Sequence, residues 1–160
     1  MRIIQRSELD ELTSRAAASA RRRAHLNVHA DASDPVQRFF VAAQSDSYFR
    51  PHRHAVKSEL AMVLRGRFDV LRFDAQGILL ARDGAGEGAS GIGWEVPVQT
   101  WHTLVPLSDG SVFLEVKAGP YDAATAAEFA PWAPAESDRS AAAFLERLRT
   151  LRVGERASAA

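Results

Sequence analysis

The sequence has 160 residues, of which 46% are hydrophobic and 25% are charged, a composition typical of a folded globular domain rather than a disordered chain. Its 20 basic and 20 acidic residues cancel, so the overall charge gives no indication of a polyanionic partner or a membrane surface. The absence of cysteine excludes disulfide bonds, thiolate metal sites and cysteine nucleophiles.

The sequence predicts neither a signal peptide nor a membrane-spanning helix. Residues 1–7 turn charged too early for a signal peptide. No apolar run approaches the ~18 residues that a membrane-spanning helix needs. We therefore expect a soluble cytoplasmic protein.

The first predicted element is a helix over about residues 7–23. Ser7 is suited to the N-cap, acidic residues follow in the first turn and basic residues come late, which is the order that the helix dipole favours. Leu9 and Leu12 are three residues apart, so one face of the helix can pack. The arginines at residues 21–23 are interpreted as its solvated end rather than as a nucleic-acid contact, because no recognition motif accompanies them.

Residues 36–120 form the predicted strand region. Short apolar runs alternate there with turn residues at a spacing of about 8–12 residues, the pattern of an antiparallel barrel or sandwich. The clearest strands are residues 59–64 and 68–73, on either side of the hairpin-type turn Arg65-Gly66-Arg67. Further strands are predicted at residues 78–81, 94–96 and 112–117.

The C-terminal part returns to a helical pattern over about residues 138–151. Ser137 or Asp138 can cap this helix, and its apolar residues share one face. These residues are Phe144, Leu145, Leu148 and Leu151. Residues 153–160 are expected to be frayed. No repeat or linker interrupts the chain, so we predict one domain over residues 1–160.

The most informative pattern is a set of histidines with one glutamate. His52 and His54 are two residues apart, so on a β-strand both imidazoles point to the same side. Glu59 opens the next strand, and His102 follows a later turn. Three imidazoles and one carboxylate suit a divalent transition metal: Fe, Mn, Ni, Co, Cu or Zn.

This spacing resembles the first cupin motif, which runs His-x-His, four residues, Glu, six residues, Gly. The matching residues are His52, His54, Glu59 and Gly66. The second cupin motif is matched by Gly91, Pro97 and His102. Three positions depart from the pattern, since Asp46 and Gln99 replace glycines and Pro106 replaces an asparagine. The departure at Gln99 can reshape the turn before His102 but leaves this ligand in register.

Several further blocks resemble the WbuC-type cupin-fold metalloproteins. They are residues 26–29, 37–38, 47–54, 64–66, 101–103, 115–121 and 129–136. The resemblance implies a mainly β fold, a single cupin-type antiparallel β-barrel (jelly-roll-like) with N- and C-terminal helices. It also implies one bound metal ion, a homodimer and an association with bacterial surface-polysaccharide gene clusters. No settled reaction goes with this family.

Five other residues are candidate neighbours of the metal. Glu115 and Lys117 alternate with apolar residues of a strand, so they form either a buried ion pair or an acid and a base in the pocket. Tyr121 is a third candidate catalytic residue. Tyr48 and Arg50 are candidate substrate contacts, since a guanidinium binds carboxylates and phosphates. Packing at the barrel mouth is an equal alternative for both tyrosines.

Two other features are given no chemical role. Residues 86–91 match the dinucleotide-binding pattern GxGxxG, but a strand-like segment broken by Pro97 follows instead of the required helix. His25 and His29 lie outside the metal pattern. They are expected either at the edge of the pocket or at a surface or turn position.

These observations give three hypotheses of function. The first is a metal-dependent enzyme, an isomerase, epimerase or hydrolase, that acts on a small sugar-derived or nucleotide-sugar substrate. The second is a metal- and ligand-binding cupin without turnover. The third is an iron-dependent oxygenase. All three have a small-molecule ligand and no nucleic-acid or membrane partner.

Overall fold

The computed structural model describes residues 1–157, in which helices flank ten β-strands. The helices are α1 (Arg6–Ala18) and α2 (Ala141–Thr150). The strands are β1 (Arg23–Asn27), β2 (Val36–Ala43), β3 (His52–Arg53), β4 (Glu59–Arg65), β5 (Arg67–Phe73), β6 (Leu79–Gly86), β7 (Gly93–Val96), β8 (Trp101–Pro106), β9 (Ser111–Ala118) and β10 (Glu128–Phe129). Across this range, no helix is long and apolar enough to cross a membrane.

The strands pair into two five-stranded antiparallel sheets. The first sheet has the order β1-β2-β9-β4-β7, and the second has the order β10-β3-β8-β5-β6. Within residues 1–157 no ladder joins the sheets into a closed cylinder. The fold is therefore mainly β and jelly-roll-like, as predicted, but it is a pair of open sheets rather than a closed barrel.

The turn at Gly66 carries the chain from one sheet to the other. The prediction that residues 59–64 and 68–73 form a hairpin is wrong, because β4 pairs with β7 and β9 while β5 pairs with β6 and β8. Gly66 has a φ of 67°, and a Cβ at this position would lie 2.3 Å from Ser111 Oγ. Glycine is needed here for both reasons.

Each helix covers the outer face of one sheet, and a third apolar layer lies between the sheets. Helix α1 packs on the first sheet through Leu9, Leu12 and Ala16, against Phe40, Ala42 and Val112. Helix α2 packs on the second sheet through Leu145 and Leu148, against Leu71 and Phe73 of β5. The inner layer contains Val41, Ala61, Phe68, Leu104 and Phe113. The amphipathic faces predicted for the two helices are thus confirmed.

Helix α1 ends at Ala18 rather than at residue 23. The backbone of Arg22 has a φ of 55°, which turns the chain, and Arg23 begins β1. The Arg23 side chain is buried and donates a hydrogen bond of 2.7 Å to the carbonyl oxygen of Tyr48. The three arginines therefore do not form a solvated helix end.

The residues after α2 are ordered by contacts with β6. Arg156 forms a bridge with Ile78, and the Leu79 amide donates a hydrogen bond of 2.9 Å to the Glu155 carbonyl. Ala157 is buried. The prediction of a frayed C-terminus is therefore wrong for residues 153–157, while residues 158–160 lie outside the described residues.

Candidate metal centre and cavity

The two sheets bring the predicted metal ligands together from opposite sides. Strands β3 and β8 pair so that His52 lies directly opposite His102 in the second sheet. His54 follows immediately after β3. Glu59 is the first residue of β4 and faces the histidines from the first sheet.

The four side chains form a compact and mostly buried cluster. One ligand atom from each of them lies within 4.8 Å of all the others. The Nε2 atoms of His54 and His102 lie 2.9 and 3.0 Å from the two Glu59 carboxylate oxygens. His54, Glu59 and His102 are buried, and His52 is partly exposed toward the cavity described below. The spacing of these four residues in the sequence thus corresponds to one point in space.

Backbone carbonyl groups fix the orientation of all three imidazoles. The Nδ1 atom of His52 lies 3.0 Å from the Arg50 carbonyl oxygen, and that of His102 lies 2.9 Å from the Thr100 carbonyl oxygen. The Nδ1 atom of His54 lies 2.6 Å from the carbonyl oxygen of Ala126. A carbonyl oxygen only accepts hydrogen bonds, so each Nδ1 carries the hydrogen and each Nε2 of a neutral ring keeps its lone pair.

This arrangement of lone pairs fits a bound cation. Two Nε2 lone pairs face the carboxylate oxygens of Glu59, and such a contact is repulsive unless a positive charge lies between them. Three imidazole nitrogens and one carboxylate are a ligand set that Zn and other divalent transition metals accept. The cluster therefore fits a metal site.

Without a metal, protons on the imidazoles supply the positive charge that faces Glu59. Burial disfavours ionised Glu59, but hydrogen bonds from His102 and His54 outweigh it and hold the Glu59 pKa well below its ordinary value. Burial also opposes a charged His102, yet the bond to Glu59 and the charge of Glu59 raise its pKa. For His52, burial followed by repulsion from His102 lowers the pKa to about 3.

The turn before His102 accommodates the departure from the cupin pattern at Gln99. This residue has a φ of 61°, in the region that favours glycine, which explains why the family pattern has glycine there. The Gln99 amide donates a hydrogen bond of 2.8 Å to the His54 carbonyl oxygen, and its side chain donates one of 2.9 Å to Ala55. Gln99 thus ties the His102 turn to the strand of the other histidines.

Glu115 and Lys117 lie next to the cluster on β9. In the register of the first sheet, Lys117 is opposite Glu59 and Glu115 is opposite Ala61. The Lys117 Nζ lies 2.5 Å from Glu115 Oε1 and 3.9 Å from Glu59 Oε2. The two alternatives from the sequence therefore coincide, because the residues form an ion pair and both line the cavity beside the cluster.

The environment shifts both pKa values. Burial and the negative charge of Glu59 raise the Glu115 pKa to about 7, against the opposing effect of Lys117. Burial disfavours the Lys117 ammonium group, but the carboxylates of Glu115 and Glu59 outweigh burial and raise its pKa. Near neutral pH, Glu115 can therefore give up or accept a proton while Lys117 stays charged.

A cavity of about 530 Å³ opens from the cluster between the two sheets. Its aromatic wall consists of Phe39, Phe49, Phe113 and Phe129. Its charged lining consists of Arg21, Arg23, Arg50, Lys57, Lys117, Glu59, Glu115 and Glu136. This volume accommodates a small-molecule ligand. His25 and His29 also line it, so both histidines lie at the edge of the pocket.

The remaining candidate residues are placed differently. Arg50 and Tyr121 line the cavity. Tyr48 does not, because its ring is buried against Phe144 on the outer side of the second sheet. Its hydroxyl donates a hydrogen bond of 3.1 Å to the Pro134 carbonyl oxygen. The structure therefore gives Tyr48 a packing position and separates it from the other candidates.

Apart from Tyr121, sequence reasoning gave no role in the site to individual residues of the segment that follows β9. Its Ala126 carbonyl holds His54, its Phe129 lies beside His52 across the β3–β10 pair, and Glu136 accepts hydrogen bonds from Arg21. A backbone carbonyl leaves no sequence signal. Phe129 and Glu136 fall in a block that resembles the WbuC type, and this block was the available indication.

Solved structures with similar folds are cupin-fold proteins. The protein resembles a cupin 2 conserved barrel domain protein from Rhodopseudomonas palustris, with a TM-score of 0.51 and 18% identity over 67% of this chain and 66% of that chain. It also resembles oxalate oxidase in complex with the substrate analogue glycolate, with a TM-score of 0.53 and 15% identity over 72% of this chain and 58% of that one.

A third similar structure is CapF with the inhibitor 3-isopropenyl-tropolone, with a TM-score of 0.58 and 16% identity. The match covers 69% of this chain but only 32% of CapF, so this chain corresponds to about a third of that protein. At such identities the likeness shows the fold alone.

The fold and the buried cluster thus define a cupin-fold protein with a site that fits a metal ion. The sequence matches the family described as "Domain of unknown function (DUF6016)" over residues 4–83, and the chain belongs to that family. A comparison with curated proteins gave no match.

Proposed function

We propose that the protein is a metal-dependent enzyme of the WbuC type that acts on a small sugar-derived or nucleotide-sugar substrate in bacterial surface-polysaccharide metabolism. The observation that carries this proposal is the set of three imidazoles whose Nδ1 atoms are held by carbonyls while their Nε2 side meets Glu59. The sequence blocks that resemble WbuC-type proteins support the substrate class. The reaction type is an isomerisation, an epimerisation or a hydrolysis.

The proposed metal ligands are His52, His54, Glu59 and His102. A bound divalent metal would supply polarisation of a substrate carbonyl or hydroxyl, or activation of water. Its identity is proposed only as one of Fe, Mn, Ni, Co, Cu and Zn.

The proposed proton-transfer group is Glu115. Glu115 lines the cavity beside the cluster, and in the metal-free protein burial and the charge of Glu59 raise its pKa to about 7, so this carboxyl group can hold or release a proton near neutral pH. Lys117, 2.5 Å from Glu115, stabilises the carboxylate and balances charge when a proton moves. Tyr121 is half exposed and lines the mouth of the cavity, where its hydroxyl can contact a bound substrate. Tyr48, by contrast, has no place in this mechanism.

The experiment that tests the proposal combines metal analysis with a substrate screen. Protein reconstituted with each candidate metal is mixed with nucleotide sugars and sugar acids, and turnover is followed by NMR, including uptake of solvent deuterium at carbon. We expect turnover with wild type and loss of it in Glu115→Gln, with the metal still bound. A matched control is Glu95→Gln, which changes an exposed glutamate on β7.

The outcomes separate the three hypotheses. Ligand-induced thermal shifts without turnover would favour the non-catalytic cupin, and oxygen consumption that requires iron would favour the oxygenase. Absence of both metal binding and sugar binding would contradict the proposal. The resemblance to cupins further supports a homodimer, which light scattering tests. The single domain and the cytoplasmic location are proposals from the sequence, and cell fractionation tests the location.

A further inference from the structure

The cavity beside the metal cluster has an excess of positive charge. Five arginine and lysine side chains line it against three carboxylates, whereas the whole chain is neutral. Each carboxylate already has partners, since Glu136 binds Arg21 and Arg23, Glu115 binds Lys117, and Glu59 faces the histidines. The excess is therefore local and attracts an anionic ligand.

Arg50 is the cavity arginine whose charge is left without a carboxylate. Within residues 1–157 it forms no salt bridge, and its one protein acceptor is the Ala130 carbonyl oxygen, 3.3 Å from Nη2. Its Nε is buried without a hydrogen-bond partner. An unmade hydrogen bond of a buried charged donor is costly, which indicates that a missing partner belongs there.

The neighbouring arginines are satisfied. Arg53, three residues further along, donates hydrogen bonds of 2.8 and 3.0 Å to the two oxygens of Glu128. Arg23 binds Glu136 and the Tyr48 carbonyl oxygen. Arg50 thus differs from both of them in its free donors.

Arg50 is also fixed next to a metal ligand. Its carbonyl oxygen accepts the hydrogen bond of His52 Nδ1, and its guanidinium lies 5.0 Å from the centre of the Phe129 ring. A flat cation supported on an aromatic face keeps its edge free for an acceptor. A ligand bound at the cluster can therefore reach Arg50 at the same time.

We propose that the ligand of this cavity is an anion and that Arg50 binds its carboxylate or phosphate group beside the histidine cluster. This inference rests on the proposed function in placing the ligand in the cavity, and it narrows the substrate class to acidic or phosphorylated sugars. A guanidinium binds both groups through paired hydrogen bonds.

The experiment measures anion binding by calorimetry with inorganic phosphate and, separately, acetate. The full chain is used both after chelator treatment and after loading with Mn²⁺, at an ionic strength of about 0.01 M to limit screening. The variants are Arg50→Gln, Arg50→Lys and, as matched control, Arg53→Gln, which removes the same charge from a residue engaged by Glu128. Circular dichroism checks that each variant folds.

We expect saturable binding of at least one anion, weakened about tenfold or more in Arg50→Gln, as for the loss of a charge-assisted hydrogen bond. Arg50→Lys should keep part of the affinity, and Arg53→Gln should change it less than about twofold. Tighter binding of phosphate assigns a phosphorylated ligand, and tighter binding of acetate assigns a carboxylate.

Two results would overturn the inference: no saturable binding of either anion, or equal binding by wild type and Arg50→Gln. The two proposals fail separately. Arg50-dependent anion binding in a protein that binds no metal refutes the metal proposal alone. Metal binding without Arg50-dependent anion binding refutes the anionic ligand alone.

Discussion

At the scale of single residues, the orientation of three imidazoles is what distinguishes this cluster from ordinary buried histidines. His52, His54 and His102 each direct Nδ1 to a backbone carbonyl, so the free nitrogens converge on Glu59. Hydrogen bonds of this kind fix the tautomer of a metal-binding histidine. The three histidines could be predicted to lie together from their spacing in the sequence. Their carbonyl partners could not, because the position of a backbone carbonyl depends on how the chain turns around each histidine.

Substitution of a cluster histidine tests whether the cluster binds a metal ion. We expect His102→Ala to lower the affinity for Zn²⁺ or Mn²⁺ by more than about a hundredfold, since loss of a ligand costs more than loss of a residue that supports one. The control is His25→Ala, because His25 lines the same cavity but lies outside the cluster. Metal content after dialysis and competition with a coloured chelator give the affinities. Equal metal retention by both variants would show that the cluster is not the binding site.

The raised pKa of Glu115 predicts a pH dependence of stability in chelator-treated protein. The pKa of about 7 lies above the ordinary value of 4.5, so between these pH values the folded state binds more protons than the unfolded state. The free energy of unfolding should therefore fall as pH rises through this window. Glu115→Gln removes this dependence. The free energy of unfolding of this variant, relative to that of wild type, should therefore increase by on the order of 2 kcal/mol from pH 4 to pH 8.

Urea unfolding at several pH values measures this difference. Glu95→Gln is the control, because Glu95 is exposed. A difference between wild type and Glu115→Gln that stays constant from low to high pH would show that burial does not shift this carboxyl group.

Tyr48 shows the limit of reasoning from sequence neighbours. It precedes Arg50 and His52 by only a few residues, yet its ring packs against Phe144 of α2. Whether a residue near a site faces the cavity or the opposite side depends on how the chain turns before β3. Arg50 is partly exposed and lines the cavity together with His52, although Tyr48, two residues earlier, does not.

At the scale of elements, the segment of residues 119–130 forms one wall of the cavity and is held by few contacts. Its short strand β10 pairs with β3 at Glu128 and Phe129. The Ala130 amide donates a hydrogen bond of 2.9 Å to the Pro51 carbonyl, and most residues from 121 to 129 are exposed. Such a segment belongs to the less stable part of a fold. Its residues 126–130 contact β3 and the residues directly beside it.

Metal binding is therefore expected to protect residues 119–130 against hydrogen exchange. A metal that orients His54 also fixes the acceptor of its Nδ1 hydrogen, the Ala126 carbonyl, 2.6 Å away. Exchange monitored by mass spectrometry should slow in this segment on adding Mn²⁺. Glu128→Gln, which weakens the pair with Arg53, should raise the exchange rate, while Glu95→Gln should not. Unchanged exchange on metal addition would mean that the segment is not coupled to the cluster.

Element prediction from sequence succeeded where periodicity is long. The faces of both helices and the strands at residues 68–73 and 112–117 could be recognised, because apolar residues recur over several positions. Strands β3 and β10 have two residues each, and so short a strand contains no period. These short strands align His52 with His102 and Phe129, so the elements nearest the site were the least predictable.

At the scale of the whole molecule, the cluster connects the two sheets. Glu59 belongs to the first sheet, and His52 and His102 belong to the second. Since the sheets are not closed by strand pairing within the described residues, a metal ion at this point would join them. Sequence patterns predicted the helices and most of the strands. They did not predict that β4 and β5 belong to different sheets, because this depends on pairing between residues far apart in the sequence.

Metal loading should consequently raise the thermal stability of the entire fold. A ligand that binds only the folded state at a thousand times its Kd stabilises by about 4 kcal/mol, and for a chain of this size each kcal/mol corresponds to about 2–4 °C in Tm. We expect Mn²⁺ or Zn²⁺ to raise the Tm of chelator-treated protein by about 8–16 °C. Mg²⁺, which prefers oxygen ligands, is the matched control ion and should have little effect.

The variant that tests the cause of this shift is Glu59→Gln, which keeps the volume of the side chain from the first sheet but removes its charge. If the metal acts by joining the sheets, the Tm of this variant should respond much less to Mn²⁺ than that of wild type, because the ligand on one side is weakened. His25→Ala should respond like wild type. A similar rise in Tm for Glu59→Gln and wild type would indicate that the histidines of the second sheet hold the ion by themselves, and the ion would then stabilise one sheet rather than the pair.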